Sequence, residues 1–316
     1  MERSVIESSH SGPVNDISVD DLGSRMATSS DDCTIQVWSI QDNGTPVHMT
    51  TLQGLEAPVL MTSWAPHSFP GSMLASACAD GTVVVWSDTQ SNHQWSRVYT
   101  KPVGCVPLCV RWGPAEHGLL FACALSNGKA MVFHGQQQQW QHTVIDAHSA
   151  VCTSLSWSPS LAPGAMMVMP LSAQHPNPQQ ASLFPPLRLV TAGSERGVYI
   201  WRFAVQDRHW VREELSTDLC TAHWQEVSWA PNNGLPFTYI AAGSADGLVV
   251  IWSQDGLDGK WKAVLLPQQE DRIGRLSWSH VGSFLLISCA NGAASMWKEQ
   301  SSGEWEQVSS LFSHAK

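Results

Sequence analysis

Positive charge is scarce in this chain: 17 Lys and Arg stand against 27 Asp and Glu in 316 residues, a formal net charge of −10. Such a surface has no electrostatic reason to seek phosphates, which argues against nucleic acid or anionic lipid as a direct ligand. Long apolar runs are missing too, and none approaches the roughly 20 residues needed to span a bilayer. The opening MERSVIESSH carries no apolar signal segment, so the expectation is a cytosolic or nuclear chain, peripheral to membranes at most. No Cys-x-x-Cys pair occurs among Cys33, Cys78, Cys105, Cys109, Cys123, Cys152, Cys220 and Cys289. Only Cys105 and Cys109 lie close together, without the further ligands that zinc needs, and the eight read as reduced, mostly buried thiols.

Catalytic patterns are absent as well. GSADG at 243–247 and GSERG at 193–197 resemble a nucleophile elbow, but the serine is second instead of third and sits in a β-hairpin. There is no phosphate-binding glycine loop, and the thirteen histidines show no His-Glu-x-x-His spacing. The chain is therefore read as no enzyme, with no catalytic residue, cofactor or metal.

What the sequence does contain is a repeat. ATSSDDCTIQVW ending at Trp38 returns as ASACADGTVVVW (Trp86), ACALSNGKAMVF (Phe133), VTAGSERGVYIW (Trp201), AAGSADGLVVIW (Trp252) and LISCANGAASMW (Trp297). A unit of 40 to 50 residues points to a propeller or solenoid. Asp80-Gly81, Asn127-Gly128, Asp246-Gly247 and Asn291-Gly292 suit type I′ turns, in which both central residues take positive φ. Asp32-Cys33 and Glu195-Arg196 do not, so the first and fourth turns are expected to be strained or of another type. The run after each turn is continuously apolar, which implies a strand covered on both faces.

Upstream of each hairpin another strand ends at Val19, Trp64, Trp112, Trp157, Trp229 or Trp278, several followed by a small residue and proline. Downstream, a fourth strand opens near Trp95, Trp140, Trp210, Trp261 or Trp305. Three sets of five tryptophans thus occupy repeat positions and leave Trp224 outside; they are blade-packing residues. The fold class is all-β: one six-bladed propeller domain, 1–316, four antiparallel strands per blade, with blades near 14–52, 58–101, 106–146, 151–217, 222–267 and 272–311. The Pro- and Gln-rich insert at 161–187 is a long surface loop, with partner contact an open alternative, and GQQQQ at 135–139 is a polar turn.

The ring is expected to stay open. Unit one can assemble four strands from Val14 to Leu52 and unit six four from Ile273 to Leu311, so neither terminus needs to clasp the other. Each uncovered end face would expose about 500 Å² of apolar surface, worth on the order of 10 kcal/mol if buried. Such a face invites strands from another polypeptide.

HSGPVNDISVDDLGSRMATSSDD, SWSPSLAPGAMM, VSWAPNNGLPFTYIAAGSADGLVVIW and MWKEQSSGEWEQV resemble the Sec-thirteen (SEC13) family of WD-repeat propellers, from about Val5 to Trp305. The repeated Trp-small-Pro segments, the Ala-Pro-Gly after the fourth, and Gly-Leu-Pro at 234–236 carry the likeness; the Seh-one type of nuclear pore propeller is the nearest alternative. The resemblance implies a scaffold subunit of the COPII vesicle coat and the nuclear pore Y-complex. Its partners would be an α-solenoid of the Sec-thirty-one type or a scaffold nucleoporin, which inserts a blade and is stiffened by it. It implies residence at ER exit sites, COPII vesicles and nuclear pores. The contact would involve Ile17, Val19, Ile35 and Val37 of blade one and Leu276, Trp278, Leu286 and Met296 of blade six. A TOR-regulating vacuolar or lysosomal complex is a further possible assembly. His10 and His148 stand where WD-repeat histidines join a hydrogen-bond network with turn aspartates; Leu55 and Cys220 replace them in units two and five. The competing class is a peptide-reading adaptor, such as a ubiquitin-ligase receptor, with Arg111, Arg275 and Trp224 near a channel end.

Overall fold

A computed structural model of the chain describes residues 8–69, 71–88, 94–136, 139–161, 163, 186–216, 223–232, 236–256 and 259–311. Nearly all of the 161–187 insert, Cys220 and residues 234–235 lie outside them. The chain divides into two compact units, residues 1–145 and 146–316.

The first unit holds three four-stranded antiparallel sheets, each in simple sequence order. Blade one is β1 (Val14–Val19), β2 (Arg25–Ser30), β3 (Ile35–Ile40) and β4 (Pro46–Leu52). Blade two is β5 (Val59–Trp64), β6 (Ser72–Cys78), β7 (Thr82–Asp88) and β8 (Trp95–Pro102). Blade three is β9 (Pro107–Trp112), β10 (Leu120–Leu125), β11 (Lys129–Gln136) and β12 (Gln139–Asp146).

The second unit repeats the arrangement. Blade four is β13 (Cys152–Trp157), β14 (Arg188–Gly193), β15 (Val198–Ala204) and β16 (His209–Leu215). Blade five is β17 (Trp224–Trp229), β18 (Phe237–Ser244), β19 (Val249–Asp255) and β20 (Lys262–Leu265). Blade six is β21 (Ile273–Trp278), β22 (Phe284–Cys289), β23 (Ala294–Glu299) and β24 (Trp305–Leu311). The fold is thus a β-propeller of six blades, and among the described residues no sheet mixes strands of the first and last blades.

Within each unit the core lies between successive blades. Ala27, Ile35, Val37 and Leu52 of blade one pack on Val59, Trp64, Leu74, Cys78 and Trp86 of blade two. Val190, Ala192 and Ile200 of blade four meet Trp224, Val227, Trp229 and Trp252 of blade five. Covering both faces explains the unbroken apolar run of β7, where Val83, Val84, Val85 and Trp86 are all buried.

The hairpin turns differ from the expected type. In the four Asp-Gly and Asn-Gly turns positive φ occurs at Gly81, Gly128, Gly247 and Gly292, near 80–86°, and not at the Asp or Asn before them. The Gly81 amide donates to the Cys78 carbonyl at 3.1 Å, and Gly292 to Cys289 at 3.0 Å, which makes glycine the fourth residue of its turn. These are type I turns closed by a left-handed glycine. The preceding side chain caps the second amide onward: Asp80 Oδ1 accepts from Thr82 N at 2.9 Å and Asn291 Oδ1 from Ala293 N at 2.9 Å. In blade one Asp32 Oδ1 does the same for Thr34 N at 3.0 Å, and Cys33 takes the glycine position with φ 64°. In blade four no residue of the Glu195-Arg196 turn has positive φ.

Two blades carry a buried polar network. In blade one, His10 pairs through Nδ1 with Asp32 Oδ2 and through Nε2 with Thr28 Oγ1, both at 2.9 Å, and Trp38 Nε1 donates to Thr28 Oγ1 at 3.2 Å. Blade four repeats this with His148, Thr191 and Trp201 at 3.0 Å, and a glutamate, Glu195, in place of aspartate. In blade two, where Leu55 replaces histidine, Trp86 Nε1 donates to Ser76 Oγ at 3.1 Å instead. Burial pushes the Asp32 carboxyl up, but bonds from Thr34, His10 and Ser11 outweigh it and hold the group at about 2. Burial holds His148 below its ordinary 6.5.

Local backbone geometry and charge set three expected outcomes. Cys33→Gly, by relieving a left-handed non-glycine residue, raises stability by about 0.5–1 kcal/mol in urea unfolding. Gly247→Ala loses more than about 2 kcal/mol, because at φ +80° its Cβ would sit 2.9 Å from the Asp271 and Gln269 carbonyls. Stability also falls with acid in two steps. The unfolded chain protonates His148 below 6.5 more readily than the folded one does, so stability drops as pH falls through that value. Asp32 contributes above its ordinary 3.8, and that contribution is lost as pH falls toward about 2. Melting temperature against pH for Asp32→Asn should show a smaller second step, the remainder coming from Glu195, whose carboxyl is also held below its ordinary 4.5 because bonds from Ser149 and His148 outweigh its burial.

Candidate functional site: uncovered blade faces

A propeller strand places successive side chains on opposite faces, so the pairing register assigns each residue a neighbour. In blade one, Ile17 pairs with Thr28 and Val19 with Met26. Asp16 and Ser18, between them, turn toward blade two: Asp16 Oδ2 accepts from Thr62 N at 3.0 Å, and Ser18 Oγ meets Thr62 Oγ1 at 2.8 Å. Ile17 and Val19 therefore face away from blade two. They are 61% and 50% exposed, and Val14 and the turn residue Leu22 extend the stripe at 41% and 63%.

That exposure is peculiar to blade one. Ile17 has the register position of Thr62, Val110, Val227 and Leu276, which are 0–5% exposed. Val19 stands where other blades place Trp64, Trp112, Trp229 and Trp278. In two of those blades the indole closes the joint to the blade before: Trp64 Nε1 donates to the Ser18 carbonyl and Trp278 Nε1 to the Ser228 carbonyl, each at 3.1 Å, whereas Trp229 Nε1 donates to Thr238 Oγ1 within its own blade.

Blade six is asymmetric in the opposite sense. Ile273, Leu276, Leu285, Ile287 and Trp297 are buried against Ala241, Val249 and Ile251 of blade five. The other face carries Ser277, Leu286 and Met296, joined in one row by the pairs Ser277–Leu286 and Leu286–Met296. Ser277 is exposed, and the other two are half-buried.

Sequence reasoning thus marked residues on both sides of these blades. Ile17 and Val19 lie on the exposed first strand of blade one, on a face where Met26, Thr28, Gln36 and Trp38 are buried, and Leu286 and Met296 lie on the half-buried face of blade six. Ile35 and Val37 are fully buried against blade two, while Leu276 and Trp278 turn to blade five, where Trp278 packs on Tyr239 and Trp305. One step along a strand reverses the face, and only the register reveals the phase. Val14, Leu22 and Ser277 were missed. The apolar alternation of VNDISV could have found Val14, had the bulge between Val14 and Asp16 been anticipated.

The residues considered for a peptide-reading end are held within their own units. Trp224 is fully buried, 5.9 Å from Trp252 between ring centroids, and donates to the Arg196 carbonyl at 3.0 Å. It completes the blade-packing scheme instead of standing outside it. Arg275 pairs with Glu226 at 3.3 Å, and Arg111 Nη1 donates to the Val110 carbonyl at 3.4 Å.

Among the described residues no group of three or more His, Cys, Asp or Glu is placed to hold a metal ion. Their seven cysteines are free thiols; burial pushes Cys78 up to about 11 and raises Cys123 and Cys289, which makes all three poor nucleophiles at neutral pH. No helix among the described residues is long and apolar enough to cross a membrane.

Comparison with known proteins adds two findings. The family model described as WD domain, G-beta repeat, matches residues 3–39, 47–87 and 217–253. The chain is also similar to proteins named protein transport protein SEC13. It is 32% identical to that of Mycosarcoma maydis over 97% of this chain and 94% of the relative. It is 33% identical to that of Cryptococcus neoformans (strain JEC21) over 98% and 97%, and 30% identical to that of Emericella nidulans over 97% of each.

The contrast between faces sets an expected stability pattern for the isolated chain. Ile17→Thr and Val19→Thr shift urea unfolding by less than about 0.5 kcal/mol, because those side chains are already in water. Ile35→Ala and Val37→Ala each cost about 2–4 kcal/mol through the cavities they leave.

Proposed function

Since the chain belongs to the SEC13 family, we propose that it is a structural, non-catalytic subunit of the COPII vesicle coat and of the nuclear pore Y-complex. In this role it accepts a blade from an α-solenoid partner and stiffens it. The observation that carries the reading is the apolar stripe of β1: Val14, Ile17 and Val19 are 41–61% exposed at register positions that are buried or half-buried elsewhere in the fold. A strand seated there would bring these side chains out of water, at roughly 1 kcal/mol or more apiece.

The contact residues are proposed on each unit separately. On the first they are Val14, Ile17 and Val19; on the second, Ser277, Leu286 and Met296. The partners are an α-solenoid of the coat, of the Sec-thirty-one type, and a scaffold nucleoporin. The chain would then work at ER exit sites, on COPII vesicles and at nuclear pores, held to membranes through the coat and not by insertion. Mechanically, a blade buried on both faces cannot rock independently of its neighbours, so a partner that contributes one gains a fixed joint at that point.

Affinity purification of the tagged chain with identification of stoichiometric partners tests this. The wild-type chain should recover an α-solenoid of the coat or pore. The double variant Ile17→Asp, Val19→Asp should lose it by at least about tenfold while keeping its unfolding transition, since charge in a buried joint is strongly unfavourable. Undiminished recovery by a folded double variant would sink the assignment of this face.

A further inference from the structure

On the reading that a partner strand covers blade one, the joints the chain makes with itself specify the chemistry of that strand. In an antiparallel pair every second amide points off the ladder. The Asp20 amide donates to the Arg25 carbonyl at 3.0 Å, and Ser18 pairs with Ala27 and Asp16 with Ser29. The amides of Asp16 and Ser18 therefore point into the sheet, and those of Ile17 and Val19 point away from it. A buried amide without an acceptor costs about 1–3 kcal/mol, so whatever covers these two must satisfy them.

The other blades show how this is done. At the Ile17 position, Thr62 N donates to Asp16 Oδ2 at 3.0 Å and Val227 N to Ser154 Oγ at 3.3 Å. At the Val19 position, Trp112 N donates to Ser63 Oγ at 3.1 Å and Trp229 N to Ser156 Oγ at 3.0 Å. In each case the acceptor is a side chain on the first strand of the preceding blade. The pair Ser154 and Ser156, which accept from the Val227 and Trp229 amides, shows the spacing: two positions, separated by one residue. The bond from Val110 N to Met61 Sδ, at 3.4 Å, is the exception that uses a weak acceptor.

We infer that the partner strand seated on blade one carries Asp, Glu, Ser or Thr at two positions spaced i and i+2, whose side-chain oxygens accept from the amides of Ile17 and Val19. A second copy of this chain does not meet the requirement with its own uncovered blade. At the first of the two positions blade six presents Arg275, a guanidinium with no acceptor, and Glu226 already engages it at 3.3 Å.

Hydrogen exchange with residue-level fragmentation, on the full chain alone and in complex with its co-expressed α-solenoid coat subunit, tests this. In the free chain the Ile17 and Val19 amides should exchange fast and those of Asp16 and Ser18 slowly. In the complex the first two should slow by about a hundredfold. Alanine at the two aligned positions of the protected partner strand should weaken binding about tenfold each. A variant of the chain, Ile17→Pro, removes one donor at a position outside the ladder and should weaken binding similarly; the exchange readout stands even if that variant fails to fold.

A complex in which both amides exchange as in the free chain, or whose affinity ignores the two partner positions, overturns the inference and leaves the blade-accepting reading standing. Failure of any α-solenoid to bind defeats that reading and the inference with it. Slowed exchange on self-association of the chain alone would assign the seat to a second copy and overturn the inference as well.

Discussion

A sheet that is apolar on both faces must be covered twice, and its first strand has an edge whose amides no ladder can satisfy. These two demands are met together wherever one blade follows another within a unit. Leu74 and Trp64 of blade two bury the apolar row of Ile35 and Val37, while Asp16 and Ser18 supply polar contacts to Thr62. Hydrophobic burial makes the joint favourable, and the side-chain acceptors fix its register. Slipping the strands by one residue would expose the apolar row and strand the amides at once.

Blade one meets these demands only in part on its other face: Met26, Thr28, Gln36 and Trp38 are 2–7% exposed there, while Ile17 and Val19 of the first strand stay in water. It lacks the tryptophan that in blades two and six reaches back to a neighbouring carbonyl, and Val19 stands in its place. The difference is consistent in size with its neighbours: the large apolar surface of an indole would be costly to leave in water. The stripe of Val14, Ile17 and Val19 presents β-branched side chains instead, with little rotamer freedom to lose when covered.

The fold was legible because its signals are local and repeated. Each hairpin, with its glycine turn and terminal tryptophan, can be recognised within twelve residues, and the tryptophans that open and close the flanking strands set the period. Even the half-buried face of blade six leaves a trace, since AASMW alternates half-buried Ala294 and Met296 with buried Ser295 and Trp297, where β7 reads as an unbroken apolar run. The turn type was not legible, because Asp-Gly fits a two-residue type I′ loop and also the last two places of a longer type I turn. Nor was the facing of Ile35, Val37, Leu276 and Trp278. A strand that is apolar throughout carries no phase of its own, and the direction of each side chain follows from its pairing: Ile17 with Thr28, Thr28 with Gln36, Leu276 with Ile287.

Among the described residues each blade is complete within one contiguous stretch of chain, its strands hydrogen-bonded in the order in which they are synthesised. A propeller clasped by strand exchange must hold its first-made segment unpaired until the last arrives. Here no such wait is imposed: every sheet can form soon after its fourth strand leaves the ribosome, each strand pairing with its neighbour in sequence, although blade four must first close the long connection between Trp157 and Arg188. If a partner strand is seated on blade one, as proposed, a subunit assembled this way is ready to receive it as soon as it is made.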